Sequence, residues 1–399
     1  MSAAQIKDTL KACIESAVER RELAGCTFCL IRDGREELYL ETGYANIEEK
    51  QPIRRDSIYR MYSMSKPVTA AAVMKLAEDG RLDLQDPVSR FLPSFANQSY
   101  EDEDKTLRPV ARENTMTVRH LMNMTSGLCY PNLFSKAGQA TTAVYAEQIQ
   151  RLDTENQMTT REFAERIGEC PLLFRPGKGW NYGVSADILG AVVEIVTGMS
   201  FGEYLREAIL DPTGMEDTDF YVPDEKKDRL VTAYMNRGDK AGAELEPYTG
   251  SNLGIRNNGG RNAFESGGAG LFSTLDDYCR FTGMLMNGGI AENGKQILRQ
   301  GTVRYLTGGK LSGEQQMWFD RWNGLEGHSY GNLNRVMVDP QCAATIGHKG
   351  EYGWDGWLGA YFSNDPQAHQ TILLMLNQKD YGTGRLTREI RNIVNSDTF

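Results

Sequence analysis

Apolar residues recur at helical spacing over residues 4–20, which predicts an amphipathic helix. The stretch GCTFCLIRDGREELYLETGYA then reads as two strands joined by Asp33-Gly34, a pair suited to a tight hairpin. Met64 to Asp79 reads as a helix, with Val68, Ala71, Ala72 and Leu76 at helical spacing and Gly80 as its stop. From about 85 to 300, helical stretches (Arg119–Met124, Thr160–Ile167, Ala186–Thr197, Leu275–Met286) alternate with Gly- and Pro-marked loops. The acidic run Glu101–Asp104 reads as a solvated loop. Strands are predicted at 335–338, 356–363 and 371–377, with a turn at Asp365-Pro366 and a last helix over 384–395. Strands from both chain ends can form one antiparallel sheet, with the helical middle as an insertion. There is no internal repeat and no low-complexity linker.

Composition narrows the function classes. The chain has 399 residues, 40% hydrophobic and 25% charged, as in ordinary globular proteins. Its 44 basic and 54 acidic residues give a net charge of −10, which argues against non-specific nucleic-acid binding. No run of about 18 apolar residues exists, so no membrane partner is expected. The polar first residues lack the apolar run of a secretory signal, and the seven cysteines are scattered, so reduced thiols and a cytoplasmic location are expected. Cys26-Thr27-Phe28-Cys29 is a C-x-x-C, but residues three apart on a strand face opposite sides, so two packed thiols are expected rather than a redox pair. Only four histidines are present, with no HExxH and no close cluster of ligating side chains, which argues against a zinc hydrolase.

Chemistry gathers at Ser63-Met64-Ser65-Lys66, an S-x-x-K motif. If Ser63 opens the helix, Lys66 lies one turn on and its amine reaches the Ser63 hydroxyl, whereas Ser65 faces elsewhere. A lysine in the first turn meets the positive end of the helix dipole, which favours the neutral amine that can accept a proton. The alternative is a simple N-cap, but a cap prefers Glu three residues on, not Lys. Gly267-Gly268-Ala269-Gly270 lacks the strand–loop–helix setting of a phosphate loop and reads as a place of close backbone packing near the site. His120 reads as structural.

The Ser63–Lys66 segment resembles the active-site helix of serine β-lactamases and penicillin-binding proteins. RLDLQDPVSRFLP, TVRHLMNMTSGL, FRPGKGWNYGVSADILGAVVEIVTG, DPTGMEDTDF and SGGAGLFSTLDDYCRFTGMLMNGG resemble further family segments in the same order. The branch most similar is that of the class C β-lactamase-related family VIII carboxylesterases and acyltransferases. The resemblance implies an α+β fold, with an antiparallel sheet flanked by the terminal helices and an inserted all-helical subdomain. One catalytic domain spans 1–399, divided into 1–84 plus 301–399 and 85–300.

It also implies roles. Ser63 is the nucleophile, and Lys66 and Tyr182 share general acid/base work, with the first base left open. Tyr182-Gly183-Val184 keeps the tyrosine of the family's Y-x-N but not its asparagine. Two candidates exist for the third motif, His348-Lys349-Gly350 and Trp354-Asp355-Gly356. Gly356 precedes Asp365 by nine residues, a strand's length, so the W-x-G is favoured. Its glycine would let an acyl group approach the backbone. The N–H groups of Ser63 and Trp357 would form an oxyanion hole. Asp355 departs from the small residue usual there; facing the site it would repel anions, and alternation along the strand can turn it away. Trp354 neighbours the site, Trp318, Trp322 and Tyr352 are candidates for an aromatic acyl pocket, and Tyr130 for its mouth.

The expected activity is a serine carboxylesterase, with acyl transfer as a second outcome, acting on a small-molecule ester without metal or organic cofactor. A β-lactamase or D-alanyl peptidase is the alternative, weakened because Trp354 and Val184 replace the lysine and asparagine that recognise a carboxylate. A non-catalytic binding protein of the same fold is the third reading. None of the schemes built on Lys66 and Tyr182 uses a histidine.

Overall fold

The computed structural model describes residues 3–237 and 244–396. Among them, one eight-stranded antiparallel sheet dominates. From edge to edge its strands are His328–Gly331, Asn334–Met337, Tyr352–Asp355, Tyr361–Asp365, Gln370–Leu376, Gly25–Arg32, Arg35–Asn46 and Gln51–Pro52. The two ends of the chain meet in its middle, where Gly25–Arg32 pairs with Gln370–Leu376 in the register Cys26 to Leu376 and Arg32 to Gln370. The hairpin at Asp33-Gly34 turns through φ of 49° and 72°, the two positive angles of a type I′ turn.

Alternation along the central strands feeds two cores. On one face Phe28, Leu30, Leu374 and Leu376 pack with Leu10, Ile14 and Ile390 of the terminal helices Ala3–Glu19 and Arg385–Asn395. On the other face Cys29, Leu373 and Met375 join the larger core with the helices Ser65–Glu78, Ser185–Thr197 and Leu275–Met286. Cys26 and Cys29 thus belong to opposite faces, and all seven cysteines are free thiols. Between 85 and 300 the described chain is largely helical, with only short two-stranded pairs. No single helix among the described residues is long and apolar enough to cross a membrane.

Several elements differ from the sequence reading. The stretch 356–363 is not one strand: Tyr352–Asp355 ends, the chain reverses at Gly356–Gly359, and Tyr361–Asp365 begins. Gly359 makes that reversal possible with φ of 98°, its N–H bonded to the Gly356 carbonyl at 2.8 Å. The W-x-G therefore closes one strand rather than opening the next. Helix Ser65–Glu78 is buried nearly all round, including Ala70, Val73 and Met74, so its apolar spacing marks a core helix more than an amphipathic one. The acidic run forms the turn of a small hairpin in which Ser99–Glu101 pairs with Leu107–Pro109: Asp102–Asp104 lie at the surface as expected, but Glu101 is buried and accepts the Lys136 N–H at 2.7 Å. Helix Lys136–Arg151 and strand His328–Gly331 were not foreseen.

The hairpin geometry sets a test. Gly34→Val forces a β-branched residue into φ of 72°, and is expected to lower stability by about 1–2 kcal/mol in urea unfolding, with turnover per folded molecule unchanged.

Candidate active site

Ser63 lies in a 3-10 turn, Tyr62–Met64, that runs into helix Ser65–Glu78. Its position just before the helix leaves the hydroxyl half-buried and reachable. Ser65 does face elsewhere, accepting the Leu271 N–H at 3.0 Å in the core. Lys66 sits in the first turn with 0% exposure. Its Nζ lies 3.1 Å from Ser63 Oγ, 3.0 Å from the Tyr130 hydroxyl and 2.8 Å from the Gly268 carbonyl. Of these partners only the two hydroxyls can also donate, so a neutral amine fits: it donates to Gly268 and accepts from a hydroxyl. Burial pushes the Lys66 amine down to about 7, against the pull of the Asp187 and Asp355 carboxylates.

Tyr182 arrives from the segment before helix Ser185–Thr197. Gly183 follows it because a Cβ there would stand 2.6 Å from the Leu128 carbonyl. The Tyr182 ring lies 4.6 Å from Lys66 Nζ. Its hydroxyl accepts Trp354 Nε1–H at 2.9 Å. Burial pushes the phenol well above its ordinary range, which favours the neutral phenol.

Tyr130 is half-buried, and it reaches further in than a mouth residue need. Its hydroxyl bonds Lys66 and its ring meets Tyr182 edge-on at 5.7 Å, so it belongs to the central cluster. Trp322, 38% exposed, stands edge-on to Tyr182 at 5.0 Å and borders Trp354 at 6.2 Å. Trp318 sits a layer back, against Phe174 at 5.0 Å and over Gly179. Tyr352 is a core residue whose hydroxyl accepts from Asn364 at 3.0 Å. Asp355 turns to the chain near Gly382, where a Cβ would stand 3.3 Å from its carboxylate, and burial lifts its carboxyl to about 6.

The missing side chain of Gly356 makes room for the chain itself: a Cβ there would stand 2.4 Å from the Met61 carbonyl. This corrects the expectation that the glycine admits an acyl group. It presses Gly356-Trp357 backbone-to-backbone against the turn carrying Ser63. The glycine run behaves likewise, since Cβ atoms on Gly267 and Gly268 would meet the Ala186 carbonyl at 2.4 Å and the Asp187 carboxylate at 2.9 Å.

Sequence reasoning missed Asp187. Buried at 1% exposure, it accepts from the Gly268 N–H and from the Ser266 hydroxyl, and that hydroxyl accepts the Ala269 N–H of the peptide whose carbonyl holds Lys66. An acidic residue inside the apolar stretch ADILGAVV was the available signal. The histidines lie elsewhere: His120 completes a capping box with Thr117, His328 bonds the Glu326 carbonyl, and His348 bonds Asp365 at 2.7 Å. That last pair places His348-Lys349-Gly350 in the approach to the strand.

Gly356→Ala is expected to cost about 1–3 kcal/mol of stability, because the clash is with backbone and not with a flexible side chain; thermal unfolding reads it.

Comparison with known proteins adds the lineage. The model of the beta-lactamase family matches residues 10–395. Protein Rv1367c of Mycobacterium tuberculosis is 30% identical over 355 residues, 84% of this chain and 81% of that protein. Esterase EstB of Burkholderia gladioli is 29% identical over 411 residues, 99% and 96% of the two chains. The solved structure of EstCE1, a hydrolase with promiscuous acyltransferase activity, superposes with a TM-score of 0.81 at 26% identity, covering 99% of each chain.

Proposed function

The chain belongs to the beta-lactamase family and is a serine hydrolase, and from that premise we propose that it cleaves carboxylic esters through an acyl-enzyme on Ser63. The observation that carries this reading is the buried Lys66 amine, 3.1 Å from Ser63 Oγ and held down to about 7. At neutral pH a large share of it is unprotonated and able to take the Ser63 proton.

The steps follow from the placement of the groups. Lys66 takes the hydroxyl proton as Ser63 Oγ attacks the ester carbonyl. The N–H groups of Ser63 and Trp357 stabilise the tetrahedral oxyanion. Tyr182, whose ring lies 4.6 Å from Lys66 Nζ, delivers a proton to the departing alkoxide, and the proton gained by Lys66 restores it. Water then releases the acid, or a second alcohol takes the acyl group. EstCE1, with its promiscuous acyltransferase activity, supports the second fate. The half-exposed ring of Trp322 beside Tyr182 supports a small-molecule ester with an apolar acyl or alcohol part. Seven free thiols support a reducing, cytoplasmic setting.

A β-lactamase or peptidase reading finds less support. Where the family's third motif offers a lysine to a carboxylate, Trp354 spends its N–H on Tyr182. Val184, in place of the asparagine, is fully buried.

Ser63→Ala is expected to lower p-nitrophenyl butyrate hydrolysis by at least about 10⁴-fold, the scale of losing a nucleophile or its base; a wild-type rate would end the assignment. In the wild-type protein kcat/KM is expected to rise with pH through an acid limb centred near 7, because the Lys66 ammonium cannot accept a proton. A flat profile between about pH 5 and 9 contradicts Lys66 as base. Nitrocefin turnover with kcat/KM far above that of simple esters would favour the lactamase reading.

A further inference from the structure

Oxyanion stabilisation as proposed above depends on the gap between two backbone N–H groups, on Ser63 and Trp357, from segments far apart in the chain. Such donors lose their effect when displaced by about an ångström. Two contacts join the two segments directly. Gly356 admits the Met61 carbonyl to 2.4 Å from where a Cβ would stand, so the backbones touch. The Tyr62 ring, adjacent in sequence to Ser63, meets the Trp357 indole edge-on at 5.0 Å and 62°. From another side the Tyr248 ring meets the same indole at 5.4 Å and 77°, while Trp357 Nε1–H donates to Asp380 at 2.6 Å.

Tyr62 itself is unusual. Its φ is 44°, the left-handed region that bulky residues rarely adopt. Such a conformation persists where the surroundings over-determine it, and it clusters at functional positions. The side chain is 1% exposed, and its buried hydroxyl makes no hydrogen bond among the described residues. Ring packing therefore holds this side chain, in the small apolar cluster that includes Ile58, Val222, Ile255, Phe272 and Leu358. A hydroxyl left unpaired in such a place is unfavourable, so the residue is not there for its polar atom.

We propose that Tyr62 is a positioning residue, whose ring, wedged against a Trp357 indole braced by Tyr248 and Asp380, sets the spacing of the Ser63 and Trp357 N–H groups. The inference rests on Ser63 as nucleophile and on those two N–H groups as donors. Mechanically, the left-handed turn at Tyr62 aims its ring at Trp357, while the next residue presents its N–H and hydroxyl to the substrate. The indole fixes the following segment from its side chain, and Gly356 fixes it from its backbone. With the ring removed, only the backbone contact at Gly356 remains, and the turn is free to relax toward ordinary angles.

The test compares Tyr62→Phe, Tyr62→Leu and Tyr248→Leu, with Ser63→Ala as control. Each is assayed on a p-nitrophenyl ester and on its thionoester, and checked for folding by circular dichroism and melting. Sulfur accepts hydrogen bonds poorly, so the ester-to-thionoester preference reports how well the donors are placed. Tyr62→Phe is expected to keep kcat within about twofold, since it keeps the ring. Tyr62→Leu is expected to lose about 10²-fold in kcat with KM within about threefold, and to narrow the preference for the ester. If Tyr62→Leu does not fold, Tyr248→Leu carries the test, with a loss of about tenfold and the same narrowing. A folded leucine variant with wild-type kcat and preference, or a Phe variant as impaired as Leu, overturns the positioning role alone. Full turnover by Ser63→Ala would instead overturn the nucleophile, and this inference with it.

Discussion

One amine without water organises this site. Lys66 is excluded from solvent, and desolvation outweighs the two carboxylates that favour its charged form. Every neighbouring feature can be read as a consequence of keeping that amine dry yet satisfied. Its carbonyl partner, Gly268, is held by Asp187; its hydroxyl partners are Ser63 and Tyr130; and the Tyr182 and Tyr130 rings cover it at 4.6 and 5.5 Å. Asp187 is itself buried, and its carboxyl is pushed up by that burial while Ser266 and the Gly268 N–H hold it down. It acts on Lys66 both by charge and through the Ser266 hydroxyl that holds the Gly268–Ala269 peptide.

Glycines supply the closeness this arrangement requires. Gly183 lets the Tyr182 segment lie against the Leu128 carbonyl, Gly267 lies against the Ala186 carbonyl, and Gly356 against the Met61 carbonyl. Each brings backbone onto backbone where any side chain would force the segments apart. The reacting groups come from four separate stretches, at residues 63–66, 130, 182 and 354–357, and two of their meetings, 182 with 130 and 356 with the serine turn, depend on such an approach. The sheet contributes by ending: strand Tyr352–Asp355 stops where Gly356 meets the serine turn, so its last inward residue, Trp354, reaches Tyr182.

Much of this was legible in sequence, for reasons that differ by element. The Ser63–Lys66 pairing is local, fixed by helical spacing, and the structure places the two groups in hydrogen-bond contact. The Asp33-Gly34 hairpin is likewise set by two adjacent residues. The sheet's central pairing of chain ends was readable from where the strands fall, but its register was not, because that depends on faces rather than on turns. The contact of Tyr130 with Lys66 was not legible, since it depends on a loop anchored through Ser126 to Ser185. The apolar run 356–363 concealed a reversal that only Gly359 betrays, and the W-x-G was therefore assigned to the wrong end of a strand. Asp187 and Tyr62 escaped because their importance lies in what they press against across the fold.

The replacement of a cation by Trp354 bears on the division of labour between Lys66 and Tyr182. A lysine beside the phenol would lower its affinity for a proton and make the tyrosinate a plausible base. The indole N–H of Trp354 supplies a single neutral hydrogen bond at 2.9 Å, too little to offset burial, and the phenol stays protonated. Lys66, with burial favouring its neutral form, is the base in the proposed mechanism. The same substitution removes the positive charge that would greet a carboxylate and leaves aromatic surface, with the Trp322 edge beside it. In the proposed mechanism, base choice and a preference for uncharged esters thus both turn on one side chain, Trp354, whose N–H goes to Tyr182 rather than to a substrate carboxylate.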